Sequence, residues 1–472
     1  HWLRGACIYG IMPCNGLLYK TPDSCACYYQ SKLPHLCAIR SADSEIEAPQ
    51  GQRLEKGAAY GPVTDAAVRA RDCWPAYRHD NVRSGATNTE VPSKPGKIWQ
   101  QKIGGRLGAM TAASGKLFIS AIDEHTLYAL DADSGEPLWS YVTGGRVDSP
   151  PAIWRGRAIF GCADGWVYCV RISDGELVWR FRAAPTTARL LSYQQPESLW
   201  PVHGSVLVRS GVAYCLAGRS AFLDGGMRLL RLDCATGRVL SETILDEKDP
   251  STGANIQTLI AGKSMPVANP DILSCDDTYI YMAAQRFNED GDRVGLKTTL
   301  GKEKVQTGEG RHLFCPTGFL DDAWFHRSYW IYGKNAGEGH GEYTVPPKHT
   351  PTGRIMVFDD TKVYSLFAHN VGNNINPRTY YTLYAAYKDE AVPAPRENRK
   401  GKGKSRAAKR LPPGPGHVWE LDRPGVHANG MVLAGTRLFL AGSPDVADEE
   451  RTAEYVFGAD DELNRQMLRQ ER

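Results

Sequence analysis

Short runs of apolar residues, each opened by a tight turn, recur along this chain and predict strands. Seven turn-then-strand units are legible. They are Asn15-Gly16-Leu17-Leu18-Tyr19, Ser114-Gly115-Lys116-Leu117-Phe118, Arg155-Gly156-Arg157-Ala158-Ile159-Phe160, Ser210-Gly211-Val212-Ala213-Tyr214, Asp277-Thr278-Tyr279-Ile280-Tyr281, Asp360-Thr361-Lys362-Val363-Tyr364 and Gly435-Thr436-Arg437-Leu438-Phe439. A hairpin of this kind cannot bury both its faces alone and must stack on neighbours. A longer pattern fixes the stacking unit. Ala129-Leu130-Asp131-Ala132-Asp133-Ser134-Gly135-Glu136-Pro137-Leu138-Trp139 returns forty residues on as Cys169-Val170-Arg171-Ile172-Ser173-Asp174-Gly175-Glu176-Leu177-Val178-Trp179. A period near 40 with strand-like flanks predicts an all-β propeller of four-stranded blades. Because Gly135 and Trp139 recur as Gly175 and Trp179, they read as docking parts; an active site would be needed once.

The spacing of the units is uneven, so the excess must leave the ring as loops and short helical insertions, which cost comparatively little. Residues 41–96 read as a linker or insertion with a helix over Thr64–Arg71, and residues 184–201 as an interruption of the repeats. Residues 232–241 keep the Asp and the Thr-Gly turn but place Ser241 where the Trp stands in earlier repeats. The composition of 284–311 predicts an exposed loop. Residues 389–416 read as a disordered basic loop and 446–472 as a charged helical segment. The chain is expected to be one propeller over 1–472 and, since it opens on His1 and stops in a charged run, a fragment of a longer protein.

Composition adds bounds. The 472 residues carry 56 basic and 53 acidic side chains, a net charge of +3, too close to balance to favour nucleic acid or an anionic membrane over the whole surface. The basic run of eight Lys and Arg between Arg396 and Arg410 has no interleaved aromatic, so it reads as a solvated loop in preference to a nucleic-acid site. No apolar window is long enough for a transmembrane helix. Among the 12 cysteines, Cys7, Cys14, Cys25, Cys27 and Cys37 crowd together. Their spacing suits structural or disulfide use better than the paired knuckles that zinc prefers. Cys162 and Cys169 flank one hairpin, as a cross-strand bridge or as two buried thiols. There is no Cys-x-x-Cys-His for covalent haem, and Gly333–Gly339 lacks the Gly-Lys-Ser/Thr of a phosphate loop.

The candidate ligand-binding residues are His203, ahead of the Gly204-Ser205 turn, and Asp321, Asp322, His326 and Arg327 in an aromatic-rich stretch. Acids, an imidazole and a guanidinium on one rim would bind an anionic or polyhydroxylated ligand or move protons. The alternative is that these groups satisfy one another beneath aromatic neighbours. No catalytic set and no metal set emerges from the spacing.

The pattern Ala129-x-Asp131-x-x-Ser134-Gly135-x-x-x-Trp139 resembles the tryptophan-docking repeat of the pyrroloquinoline-quinone-like (PQQ-like) propellers. That family includes quinoprotein alcohol dehydrogenases and the outer-membrane assembly lipoprotein of the BAM complex. The segment from Trp74 to Gly85 resembles the lead-in of bacterial PQQ-like propellers of the planctomycete kind. The resemblance implies eight blades, with each Trp flat between neighbouring blades beside a Gly-permitted turn. The dehydrogenases use adjacent cysteines, an Asp base, and a calcium or lanthanide ion held by Glu and Asn or Asp. This chain has no Cys-Cys dipeptide. The expectation is a non-catalytic binding or scaffolding module of the bacterial periplasm or cell envelope, without cofactor. Its partner would be a protein, small molecule or glycan at the rim loops. A quinoprotein-like oxidoreductase binding PQQ with calcium on the propeller axis is the alternative.

Overall fold

The computed structural model of the chain describes residues 10–20, 36–41, 51–63, 73–256, 269–283, 285–295, 297–298, 306–315, 330–335, 350–371, 378–388, 417–446 and 465–466. Strands dominate them, and seven sheets follow one another as blades. Blade one is Leu107–Ala113, Lys116–Ala121, Thr126–Asp131 and Pro137–Val142. Blade two is Ala152–Trp154, Arg157–Gly161, Trp166–Arg171 and Leu177–Arg182. Blade three is Leu207–Arg209, Val212–Ala217, Met227–Asp233 and Val239–Leu245. Blade four is Leu273–Cys275, Ile280–Met282, Gln285–Phe287 and Arg293–Val294. Blade five is Lys297–Thr298, Gln306–Phe314, Trp330–Asn335 and Thr352–Gly353. Blade six is Ile355–Phe358, Lys362–Val371, Arg378–Tyr387 and His417–Asp422. Blade seven pairs Val426–Ala434 with Arg437–Pro444 and takes Ala86–Thr87 in parallel. Six blades are four-stranded in up-and-down order, and Leu54–Lys56 adds a fifth strand to the outer edge of blade two.

All seven predicted units form strands, six as the second strand of blades one to four, six and seven and one as Leu17–Lys20 of a small N-terminal sheet. An eighth blade is not among the described residues. The stretch 284–311, read as an exposed loop, instead carries strands of blades four and five. Phe287 is buried in the third strand of blade four, while Arg293 lies in a two-residue edge strand and Glu289, Asp290 and Asp292 in the turn before it, where few apolar positions are needed. The expected helix at 64–71 and the basic loop at 389–416 lie outside the described residues. So does the tail, apart from 465–466 and the residues up to 446.

Alternation explains the core. In blade two, Ala158, Phe160, Tyr168 and Val170 face Phe118, Leu127 and Ala129 of blade one, while Ile159, Val167, Cys169 and Trp179 face Ala213, Cys215 and Leu230 of blade three. Successive side chains point to opposite faces, so a strand buried on both sides must be apolar at every position. Cys162 and Cys169 are therefore two buried free thiols, whose pKa burial pushes up. Cys14 is also a free thiol, and Cys7, Cys25 and Cys27 lie outside the described residues.

The repeat residues close the joints between blades. Trp139 donates its indole N–H to the Ile172 carbonyl at 3.0 Å, and Trp179 to that of Cys234 at 3.2 Å. Trp99 does the same to Ala132 at 3.0 Å, a docking Trp one blade earlier than the pattern showed. Each indole lies where the next blade's turn glycine has no side chain: a Cβ on Gly175, at φ 78°, would stand 2.7 Å from Trp139. Asp131 accepts from the backbone N–H groups of Asp133 and Ser134, fixing that turn, and these bonds hold its pKa down.

Candidate functional site

In each blade the first strand is the inner edge, and the segment from Trp74 to Thr87 is bonded to six of these inner strands. Trp74 exchanges backbone bonds with Ala112, Ile153 donates to Pro75, Cys275 to Asn81, Phe358 to Ser84 and Leu433 to Gly85. Asn81 Nδ2 donates to the Val208 carbonyl at 2.8 Å. The segment thus crosses the propeller axis at the end where first strands turn into second strands. Arg83, fully buried at φ 65°, donates to the carbonyls of Leu273 and Tyr77, and burial lowers its pKa to about 10. Between this segment and blades four to six lies a cavity of about 430 Å³ lined by His79, Asp80, Arg311, Tyr332, Phe358 and Lys388 among others. Of its acids, Asp276 and Asp359 serve their own turns. Each accepts backbone N–H groups on one oxygen and a tyrosine hydroxyl, Tyr281 or Tyr364, on the other.

The opposite end carries the connections between blades and the turns from second to third strands. Here the interruption at 184–201 folds as a hairpin, Arg189–Ser192 with Gln195–Ser198, around a two-residue turn. Both turn residues have positive φ, Tyr193 at 51° and Gln194 at 61°. Asn-Gly would adopt this turn without strain; Tyr-Gln costs something, so neighbours must hold it. Gln195 Oε1 stands 2.5 Å from His125 Nε2 of blade one, and the Tyr193 ring lies 4.1 Å over the Arg146 guanidinium.

Beneath the hairpin, Glu197 sits between two arginines. Arg146 donates Nε–H to Glu197 Oε1 at 2.5 Å, and Arg219 donates Nη2–H to Oε2 at 2.8 Å. All three side chains are buried. Burial alone would raise the Glu197 pKa, but the two guanidiniums outweigh it and hold the carboxyl below its usual range. Asp148 Oδ2 lies 3.2 Å from His203 Nδ1 and 3.8 Å from Arg146 Nη1. Arg146 is 0% exposed, and neither of its Nη atoms has a hydrogen-bond partner.

His203 is thus brought into a buried ionic cluster, as a partner of Asp148. Asp321, Asp322, His326 and Arg327 lie outside the described residues. Arg146, Tyr193, Glu197 and Arg219 were not singled out by sequence; the one available signal was that Tyr193 and Glu197 sit where the repeat breaks. Calcium prefers six to eight oxygen ligands, including carboxylates. Glu197 is committed to two guanidiniums and Asp148 to His203 and Arg146, so this cluster does not fit a calcium-bound quinone. No group of three or more potential metal ligands occurs among the described residues.

Comparison with known proteins places the repeats. A family model described as outer membrane protein assembly factor BamB, PQQ-like in type, matches residues 93–286. Over those residues the chain is similar to the PQQ-like propeller repeats of that family. The dehydrogenase subunit of the quinone alcohol dehydrogenase of Gluconobacter oxydans is 26% identical over 198 residues, 38% of this chain and 25% of that protein. The chain thus spans about a quarter of that curated relative's length. Among solved structures, quinohemoprotein alcohol dehydrogenase from Comamonas testosteroni aligns at 12% identity and TM-score 0.47, over 79% of this chain and 70% of that one. BamB from Moraxella catarrhalis aligns at 16% identity and TM-score 0.30, over 58% and 77%.

Proposed function

We propose that this chain is a non-catalytic PQQ-like propeller, a binding or scaffolding module of the bacterial periplasm or cell envelope. Its loop-bearing end receives a protein, small-molecule or glycan partner. The observation that carries the reading is the use made of the acids at that end: Glu197 and Asp148 are held by arginine and histidine, a set suited to recognition and poorly suited to a metal-bound cofactor. The segment through Arg83 across the axis supports it from the other end. Asp321, Asp322, His326 and Arg327 are proposed to extend the recognition surface, with His203 holding Asp148 in place.

A quinoprotein-like oxidoreductase is the second reading, favoured by the match to the Gluconobacter dehydrogenase subunit. Dialysis of the purified protein with PQQ and calcium, followed by absorbance and dye-linked alcohol oxidation, separates the two. The module reading expects neither cofactor uptake nor turnover; stoichiometric uptake with turnover would overturn it.

A further inference from the structure

The unbonded amino groups of Arg146 are the least satisfied feature of the loop-bearing end. A guanidinium removed from water should find acceptors for its five N–H groups, because a buried donor left unbonded has lost its hydration with nothing in return. Arg146 uses Nε on Glu197 and stacks on Tyr193, yet Nη1 and Nη2 reach no acceptor within hydrogen-bonding distance. Asp148, the nearest carboxylate to Nη1, stands at 3.8 Å. The Nη pair is a planar fork of the shape that carboxylate and phosphate oxygens match.

The anion of this site comes from the hairpin. Glu197 and Tyr193 belong to it, whereas Arg146 and Arg219 belong to the connection into blade two and a turn of blade three. The ring therefore provides the cations and the hairpin provides the anion. The hairpin is a single pair of strands outside every blade sheet, its tip holds two residues at positive φ, and Leu191 on it is 79% exposed. Moving it would withdraw Glu197 from both arginines and leave the Arg146 guanidinium with Asp148, at 3.8 Å, as its carboxylate neighbour.

We infer that Arg146 and Arg219 form an oxyanion-binding site occupied internally by Glu197, with the 189–198 hairpin as the lid that a carboxylate- or phosphate-bearing ligand displaces. Such a ligand gives the Nη pair of Arg146 the acceptors that the closed hairpin denies it. The inference rests on the reading of this end as a recognition surface and names the chemistry recognised.

Calorimetric titration of the full chain with inorganic phosphate and, separately, with sodium acetate tests it. Glu197→Gln keeps the size of the side chain and removes its charge, so its affinity should exceed that of the wild type by about tenfold, within the usual range of coupling between competing states. Arg146→Met should abolish binding, and the preferred anion of the two identifies the source. Equal affinities across wild type, Glu197→Gln and Arg146→Met, or no binding by any of them, would overturn the proposal. Should Glu197→Gln fail to fold by circular dichroism, hydrogen exchange of the wild type decides. Backbone amides of 189–198 should exchange faster in saturating phosphate, and unchanged exchange refutes the lid. Cofactor uptake in the dialysis experiment would sink the module reading without touching this competition; absent phosphate and acetate binding would do the reverse.

Discussion

Blades two and three are fastened twice, by opposite means. At the docking joint the Trp179 indole, 0% exposed, fills the space over Gly237 and caps the Cys234 carbonyl. At the loop-bearing end Arg146, Glu197 and Arg219 join the connection into blade two, the hairpin and a turn of blade three through buried charge. The first fastening repeats, at Trp99 and Trp139, and each instance contributes apolar burial and one hydrogen bond. The second occurs once among the described residues and leaves part of Arg146 unsatisfied. A device whose purpose is cohesion can be copied from blade to blade; one that carries unsatisfied buried charge is costly to copy.

The comparison breaks most visibly at Trp179. Replacing it with Ala removes a fully buried indole between two blades that cannot collapse onto each other without shearing their sheets, and should cost about 3–5 kcal/mol. Urea unfolding should show a large fall in midpoint. A loss below about 1 kcal/mol would mean that the joint is not a main source of cohesion.

Glu197→Ala comes next, at about 3 kcal/mol, the lower end for breaking a buried ion pair, because Arg146 keeps Asp148 nearby. Its effect should depend on pH, whereas that of Trp179→Ala should not. The Glu197 pKa is lowered on folding, since its two arginines outweigh burial. Its contribution is therefore fully present above the ordinary glutamate value of about 4.3 and is lost as pH falls through the lowered folded value. Midpoints of wild type and Glu197→Ala should converge as pH drops below about 4. A gap that stays constant would remove the ionic account of this fastening.

Much of the joint was legible in the sequence and almost none of the cluster. The Gly135/Trp139 and Gly175/Trp179 pairs repeat in register, so pattern alone marked them as docking parts. Blade five went unseen because Gln306–Phe314 and Trp330–Asn335 are separated by long insertions, and its strand at Gln306 opens on polar residues. The cluster draws Arg146, Asp148, Glu197, His203 and Arg219 from three separate connections, and each alone resembles an ordinary loop residue. His203 was noticed for its turn, yet its partner Asp148 lies 55 residues away. Nor could the sequence show that Trp74–Thr87 crosses the axis, since its bonds go to inner strands as distant as Leu433.

The joint between blades three and four sharpens the comparison most finely, because there the repeat position is polar. Ser241 stands where the Trp stood, and its hydroxyl donates to the Asp290 carbonyl at 2.9 Å. Arg231 donates to the same carbonyl at 3.1 Å, and its Cδ would lie 3.0 Å from a Cβ on Gly291, at φ 82°. The aliphatic stem of Arg231 thus covers the turn glycine as an indole does elsewhere, and its head caps the turn carbonyl. If cohesion at this joint comes from the stem, Arg231→Met should cost only the head's contacts, the bond to the Asp290 carbonyl and the solvent-exposed pair with its carboxylate, about 0.5–1.5 kcal/mol together, since Ser241 still serves that carbonyl. Arg231→Ala should cost more than Arg231→Met, because it uncovers the glycine as well. Equal losses for the two variants in urea unfolding would show that this joint is held by charge, as the hairpin cluster is, and would move it to the other side of the comparison.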